Sequence, residues 1–176
     1  MTTTRTTTEN ITTGERADIL QTLAQHRHFL RFTVRELTDE QAAQSPTASE
    51  LCLGGLIKHV TAGEREWMVF VLGGTTAMGG NDTDWEAYAN QFRMVEGETL
   101  AGLLDSYDEV ARRTDEIVLD LPDLDASHPL PEAPWFEPGA RWSARRVLLH
   151  LIAETAQHAG HADIIRESLD GAKSMG

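Results

Sequence analysis

The chain has 176 residues, of which 40% are apolar, and a formal net charge of −13, as expected of an acidic globular protein. Its length suffices for one domain with its own hydrophobic core. So much negative charge repels a phosphate backbone, so we expect no nucleic-acid partner. Because Cys52 is the only cysteine, an intrachain disulfide and the paired-cysteine zinc motifs are excluded.

The two ends of the chain differ in composition from its middle. Residues 1–12 are rich in threonine, so we expect a disordered tail followed by a single domain over residues 13–172. The polar start MTTTRTTTEN has no apolar run of the kind that signal peptides carry. No stretch approaches the roughly 18 apolar residues of a membrane span. We therefore expect a cytoplasmic protein without a membrane partner.

Apolar residues recur at three- and four-residue steps in four segments, which predicts four helices. The predicted helices cover residues 15–37, 52–72, 99–121 and 143–169. The last of them has a good N-cap in Ser143, and Gly171 is a natural stop at its other end.

The connections on either side of the third helix are long. The segment GGTTAMGGNDTDW is predicted to be a loop by its glycines, and LPDLDASHPLPEAPWFEPG is too rich in proline for extended regular structure. No segment alternates convincingly between apolar and polar residues as a strand would. The simplest fold is all-α, a four-helix bundle with long connecting loops that we expect to border a functional site.

The fourth predicted helix carries polar groups on its inward face. Since each helical residue turns by about 100°, four of them share the sector of Leu151, namely His150, Glu154, His158 and His161. A carboxylate or imidazole that is buried without a partner costs several kcal/mol or shifts its pKa. A single inward histidine is usually a core residue bonded to a backbone carbonyl, but four polar groups on one stripe favour a shared role.

A divalent metal ion is one such role. Glu154 and His158 lie one turn apart, so their side chains can converge on one ion. The second helix offers His59, on the face that also carries Leu56 and Trp67, as a third ligand. Three protein ligands leave an open position for water or substrate, as in catalytic zinc sites. Imidazole and carboxylate suit nickel, iron and manganese as well, so spacing alone leaves the metal open.

The other polar residues are expected to serve structure. We expect residues 64–66 on a solvated helix face and His128 solvated in its loop. Arg166 is expected in a surface ion pair, with an anionic group at a pocket edge as the alternative. The chain contains no HExxH, GxGxxG, P-loop or GxSxG motif.

Two blocks of the sequence resemble the DinB-like superfamily, LCLGGLIKHVTAGEREW and RWSARRVLLHLIAETAQHAGHADIIRE. The closer similarity, over about residues 15–170, is to its branch of mycothiol-dependent enzymes. The resemblance implies a four-helix bundle, a homodimer and a divalent metal held by three residues. Those residues would be His59, Glu154 and His158, with glutamate where many relatives carry histidine. His150 would support the ligands from one turn away.

The resemblance also implies thiol chemistry, in which a low-molecular-weight thiol such as mycothiol is conjugated to a small-molecule electrophile. A divalent metal, zinc first and nickel, iron or manganese as alternatives, would lower the pKa of that thiol. His161 is the expected catalytic residue, as a proton carrier, with a fourth metal ligand or a support for the ligands as the alternatives. Cys52 is expected to be structural. The alternatives are a metal-dependent hydrolase or isomerase that uses a bound water, and a metal-binding bundle that catalyses nothing.

Overall fold

A computed structural model describes residues 13–78 and 90–174 of the chain. Those residues form five helices: α1 (Glu15–Thr33), α2 (Asp39–Ala42), α3 (Leu53–Ala77), α4 (Leu100–Asp120) and α5 (Ala144–Asp170). They also form two short strands, β1 (Ser127–Pro129) and β2 (Arg141–Ser143). The predicted disordered tail, residues 1–12, lies outside the described residues.

The four long helices pack as a bundle, which confirms the predicted all-α fold. Helix α5 lies against α1 and α3, and α3 lies against α4. The core has two apolar clusters, one around Leu23 and Leu148 and the other around Leu30 and Leu56. Within the two described ranges, no helix combines the length and the apolar character that crossing a bilayer requires.

Helix α5 begins and ends where its capping residues predict. The Ser143 side chain accepts a hydrogen bond from the backbone N–H of Arg146 at 3.2 Å. At the other end, Gly171 adopts a left-handed conformation with φ of 79°, which a residue with a side chain adopts at a cost. These two caps fix the length of the helix that carries most of the predicted site.

Helix α3 is longer than predicted. It continues to Ala77, past the expected end at residue 72, although Gly74 interrupts it with a φ of 69°. The His128 ring occupies the space beside Gly74, since a Cβ there would lie 2.9 Å from Nδ1 of His128. His128 also packs edge-on against Phe70, with ring centroids 5.7 Å apart. The prediction of a solvated His128 is therefore wrong.

The proline-rich connection also contains regular structure that the sequence analysis did not predict. Strands β1 and β2 pair antiparallel, with His128 opposite Trp142. Each strand has three residues. Such strands are too short for an alternating pattern to reveal them. Pairing with the residues just before α5 is what holds His128 against α3.

Glu64 is buried, which corrects the prediction of a solvated face at that position. Its side chain is 1% exposed and forms an ion pair with Arg27 of α1, which is also buried. Arg27 Nε lies 3.2 Å from Glu64 Oε2, and Arg27 Nη1 lies 2.9 Å from Oδ1 of Asp115. A buried carboxylate persists here because a guanidinium from the neighbouring helix satisfies it.

Arg166 forms the predicted ion pair, but it lies in the interior and not on the surface. The residue is 5% exposed, and its Nε lies 2.9 Å from Oδ1 of Asp170. Its Nη1 donates to the carbonyl oxygens of Thr33 and Arg35, at 2.7 and 2.8 Å. These bonds satisfy the carbonyls at the end of α1, which stops at Thr33 and not at residue 37 as predicted.

Replacing Glu64 by Leu should lower the free energy of unfolding by about 3 kcal/mol, because it leaves the Arg27 guanidinium buried without its main counter-charge. The double variant Arg27→Met/Glu64→Leu should recover most of that loss, since an apolar pair can replace a buried ion pair. Chemical denaturation measures both. Arg112→Met, which breaks exposed ion pairs with Glu109 and Glu116, is the control and should leave the midpoint unchanged. A Glu64→Leu variant as stable as the parent would contradict the prediction.

Candidate metal centre

Helices α3 and α5 bring three predicted ligands together. Ligand atoms of His59, Glu154 and His158 all lie within 4.8 Å of one another. His59 lies in the second turn of α3, after an N-cap at Cys52. Glu154 and His158 lie one turn apart on α5. The contact between α3 and α5 therefore brings the three residues together, as the sequence pattern predicts.

The spacing of the donor atoms fits a single cation. His158 Nε2 lies 3.5 Å from Oε2 of Glu154, and two donors on one tetrahedral zinc lie about 3.3 Å apart. The rings of His59 and His158 stand nearly perpendicular at 77°, with centroids 4.9 Å apart. Small side-chain rotations would suffice for one ion to contact all three. The set can hold a divalent metal, and its two imidazoles and one carboxylate do not single out which one.

Burial keeps both imidazoles in the form that binds metal. It is the main reason why the pKa of His59 and the pKa of His158 lie below their ordinary value of 6.5. At His158 the neighbouring His59 lowers the pKa further, while Glu154 opposes the shift. Both rings therefore keep a free lone pair at neutral pH. The Glu154 side chain is 39% exposed, so the centre opens to solvent on that side.

Two residues beside His59 were missed by the sequence analysis. The side-chain carbonyl of Gln91 lies 3.1 Å from Nδ1 of His59, and the Phe92 ring stacks on the imidazole with centroids 4.0 Å apart. Both belong to a connection without hydrophobic periodicity. The one trace in the sequence is the pair Gly54 and Gly55, because adjacent small residues often mark a close approach of backbone.

His161 lies beside the three predicted ligands without joining them. Its Nδ1 is 3.5 Å from Nδ1 of His158, whereas Nε2 of His158 faces Glu154. His161 therefore contacts the side of the His158 ring that points away from Glu154. This position fits a neighbour of a ligand better than a fourth ligand, and a catalytic role for His161 stays a prediction.

His150 connects the centre to a group of aromatic side chains. Its Nε2 lies 4.0 Å from Oε1 of Glu154. Its ring stands edge-on to Trp67 and Trp142, with centroids 5.2 and 5.1 Å away, and the two tryptophans stack on each other at 4.9 Å. Burial lowers the pKa of His150 as well. His150 therefore lies near Glu154 without a hydrogen bond to it, and together with the two tryptophans it places aromatic side chains beside the centre.

Fold and site together define a helical bundle with a three-residue centre, able to hold a metal, between two of its long helices. The model of the family described as Mycothiol-S-transferase matches residues 18–171. The chain therefore belongs to the mycothiol S-transferase family, one of the DinB-like families.

Comparison with solved structures supports the fold. The chain is similar to a conserved protein from Enterococcus faecalis, with a TM-score of 0.62 and 14% sequence identity over 92% of this chain and 100% of that one. At that identity the likeness concerns the fold alone. Comparison with curated proteins finds no match.

Replacing His158 by Ala should abolish stoichiometric binding of a divalent metal, because two remaining ligands hold an ion weakly. Elemental analysis of the purified protein after reloading with zinc measures the effect. His28→Ala is the matched control, since His28 is an exposed histidine of α1 and should leave the metal content unchanged. Metal retained at the parent level by His158→Ala would show that the ligand set is wrong.

The metal-free protein should become less stable as the pH falls below about 6.5. An unfolded chain binds protons at His59 and His158 near that pH, whereas their lowered pKa values keep the folded chain unprotonated. The midpoint of thermal unfolding in EDTA should therefore drop between about pH 7.5 and about pH 5.5. The drop should be smaller in the double variant His59→Gln/His158→Gln, and equal drops in the two proteins would refute the assignment.

Proposed function

We propose that this chain is a divalent-metal-dependent thiol S-transferase that conjugates a low-molecular-weight thiol, such as mycothiol, to a small-molecule electrophile. The observation that carries the proposal is the convergence of His59, Glu154 and His158 in a chain of the mycothiol S-transferase family. Family membership supports the class of reaction, and the three side chains support its dependence on a metal.

His59, Glu154 and His158 are the ligands in this proposal, and zinc is its first choice of metal, with nickel, iron(II) and manganese(II) as alternatives. When bound, a divalent cation supplies the Lewis acidity that lowers the pKa of a thiol. The protein contributes two imidazoles held neutral by burial and one carboxylate. Three protein ligands leave room for a ligand from solution, and the solvent-facing side at Glu154 is where a small thiol would enter.

The environment of Cys52 supports a thiol from outside the protein. Cys52 is the only cysteine of the chain, and it is 3% exposed. Its sulfur accepts a hydrogen bond from the backbone N–H of Gly55 at 3.3 Å, as the N-cap of α3. A thiol with that task serves structure and is shielded from electrophiles, so the reacting sulfur belongs to a substrate.

His161 is assigned the proton transfer. Its Nδ1 faces the ring of His158 at 3.5 Å, so Nε2 is the atom left to hold or deliver a proton at the electrophile. The half-buried ring of His161 lies next to a proposed ligand, and among the described residues its one polar contact is with His158. Such a position suits a group that must be near the reacting atoms and still exchange protons with solvent.

The proposal includes a homodimer in the cytoplasm with a role in detoxification. A family that uses mycothiol fits that compartment. The side chains of Leu149 and Ile164 of α5 are 50% and 61% exposed. They supply apolar surface for a contact between two chains. Light scattering on the purified protein tests the dimer directly.

The metal-loaded protein should accelerate the conjugation of mycothiol with monochlorobimane above the uncatalysed rate, which bimane fluorescence measures. His161→Ala should keep its metal and lose about 100-fold or more in rate, as expected for a general acid–base group. His28→Ala serves again as the control and should keep both. Bound metal without any acceleration would favour a hydrolase, an isomerase or a non-catalytic bundle, and a His161→Ala variant at full rate would remove the catalytic role.

A further inference from the structure

Residues 90–94 lie directly against the first turns of α3, and two glycines make this contact possible. A Cβ at Gly55 would lie 1.9 Å from the carbonyl oxygen of Phe92, and a Cβ at Gly54 would lie 2.2 Å from Sδ of Met94. Any larger residue at Gly55 would collide with backbone, which has little freedom to move away. The glycine pair is therefore a docking surface for this segment.

Polar contacts hold the same segment in place. The thiol of Cys52 lies 3.6 Å from the carbonyl oxygen of Phe92. The ammonium group of Lys58 lies 3.3 Å from the carbonyl oxygen of Arg93. The N-cap and the first two turns of α3 thus hold the backbone of the residues that directly follow Gln91, next to the point where its side chain meets His59.

The contact with Gln91 decides which nitrogen of His59 carries hydrogen. A side-chain carbonyl can only accept a hydrogen bond, so the 3.1 Å contact with Oε1 of Gln91 requires hydrogen on Nδ1 of His59. Nε2 then keeps its lone pair for a cation. The Phe92 ring, stacked at 29° to the imidazole, opposes rotation of that ring about its bond to Cβ. An imidazole without these neighbours would sample both tautomers and both ring orientations.

We propose that Gln91 and Phe92 are positioning residues that fix the tautomer and orientation of His59, and that the docking of residues 90–94 on Gly54 and Gly55 holds them there. The consequence for metal binding rests on the proposed function, but the effect on the His59 tautomer does not. Groups that orient metal-ligating histidines in this way typically contribute about 10- to 100-fold in metal affinity.

The test compares Gln91→Met with Gln91→Glu in the full-length chain. Methionine has nearly the size of glutamine but gives no comparable acceptor, whereas glutamate keeps an acceptor oxygen. Nitrogen-15 NMR of the metal-free protein should show His59 with hydrogen on Nδ1 in the parent and in Gln91→Glu, and a mixture of tautomers in Gln91→Met. Competition with a chelator should show zinc binding weakened about 10- to 100-fold in Gln91→Met and restored in Gln91→Glu.

A second pair of variants tests the docking. Gly55→Ala should weaken zinc binding like Gln91→Met, because it displaces the carbonyl of Phe92. Gly63→Ala is the matched control on the same helix, since a Cβ there meets nothing within 4 Å, and it should bind zinc as the parent does. Circular dichroism in EDTA checks that both variants are folded, and should Gly55→Ala fail to fold, the Gln91 variants decide.

Unchanged His59 tautomer and unchanged zinc affinity in Gln91→Met would overturn the inference. If the tautomer depends on Gln91 but the parent protein binds no divalent metal, the positioning of His59 stands and the proposed function fails. If the parent binds zinc and Gln91→Met binds it equally well, the proposed metal centre stands and Gln91 has no part in it.

Discussion

The charged side chains that this bundle removes from water find partners on neighbouring elements, and that constraint shapes how the helices meet. Among the described residues, the hydroxyls of Tyr107 and Thr114 are buried without a hydrogen-bond partner, but neither carries a charge. Arg27 and Glu64 satisfy each other across two helices. Arg166 takes up the last carbonyls of α1 and thereby sets where that helix ends. Burying a polar group without a partner costs free energy. That cost is a large fraction of the free energy of unfolding of a domain this size. The apolar clusters supply the driving force for packing, while the polar pairs favour the arrangement of the helices in which both partners are satisfied.

At the candidate centre, lone pairs of His59, Glu154 and His158 are available to a ligand. Burial favours the uncharged form of His59 and His158, and a ligand atom of each ring lies within 4.8 Å of the Glu154 carboxylate. The three groups together can hold a metal ion, since such an ion accepts electron pairs from all of them at once. The same constraint that closes the rest of the core therefore leaves this position ready for a cation.

The sequence predicts whatever depends on one helix at a time. The length and caps of α5 follow from Ser143, Gly171 and the spacing of its apolar residues, and the pairing of Glu154 with His158 follows from one helical turn. Several features that need two elements escape such reasoning, although the inward faces of two helices together indicated His59 beside Glu154 and His158. From the sequence, Glu64 is expected to be solvated because charged side chains usually are. Only the position of α1 brings Arg27 to it. The contact of Gln91 with His59 depends on a segment that packs against Gly54 and Gly55. Hydrophobic periodicity does not predict the position of that segment.

The two imidazoles of the centre are arranged alike, although different parts of the chain hold them. His59 has its Nδ1 engaged by Gln91, and His158 has its Nδ1 beside His161. At His158 the opposite nitrogen, Nε2, faces Glu154, and at His59 the contact with Gln91 leaves Nε2 as the nitrogen that the amide does not engage. The neighbours differ in kind, because an amide only holds its ring, whereas an imidazole also exchanges protons. His59 is thus tied to the fold through an amide, whereas His158 lies beside a second imidazole, so the two rings of the centre have neighbours of different chemistry.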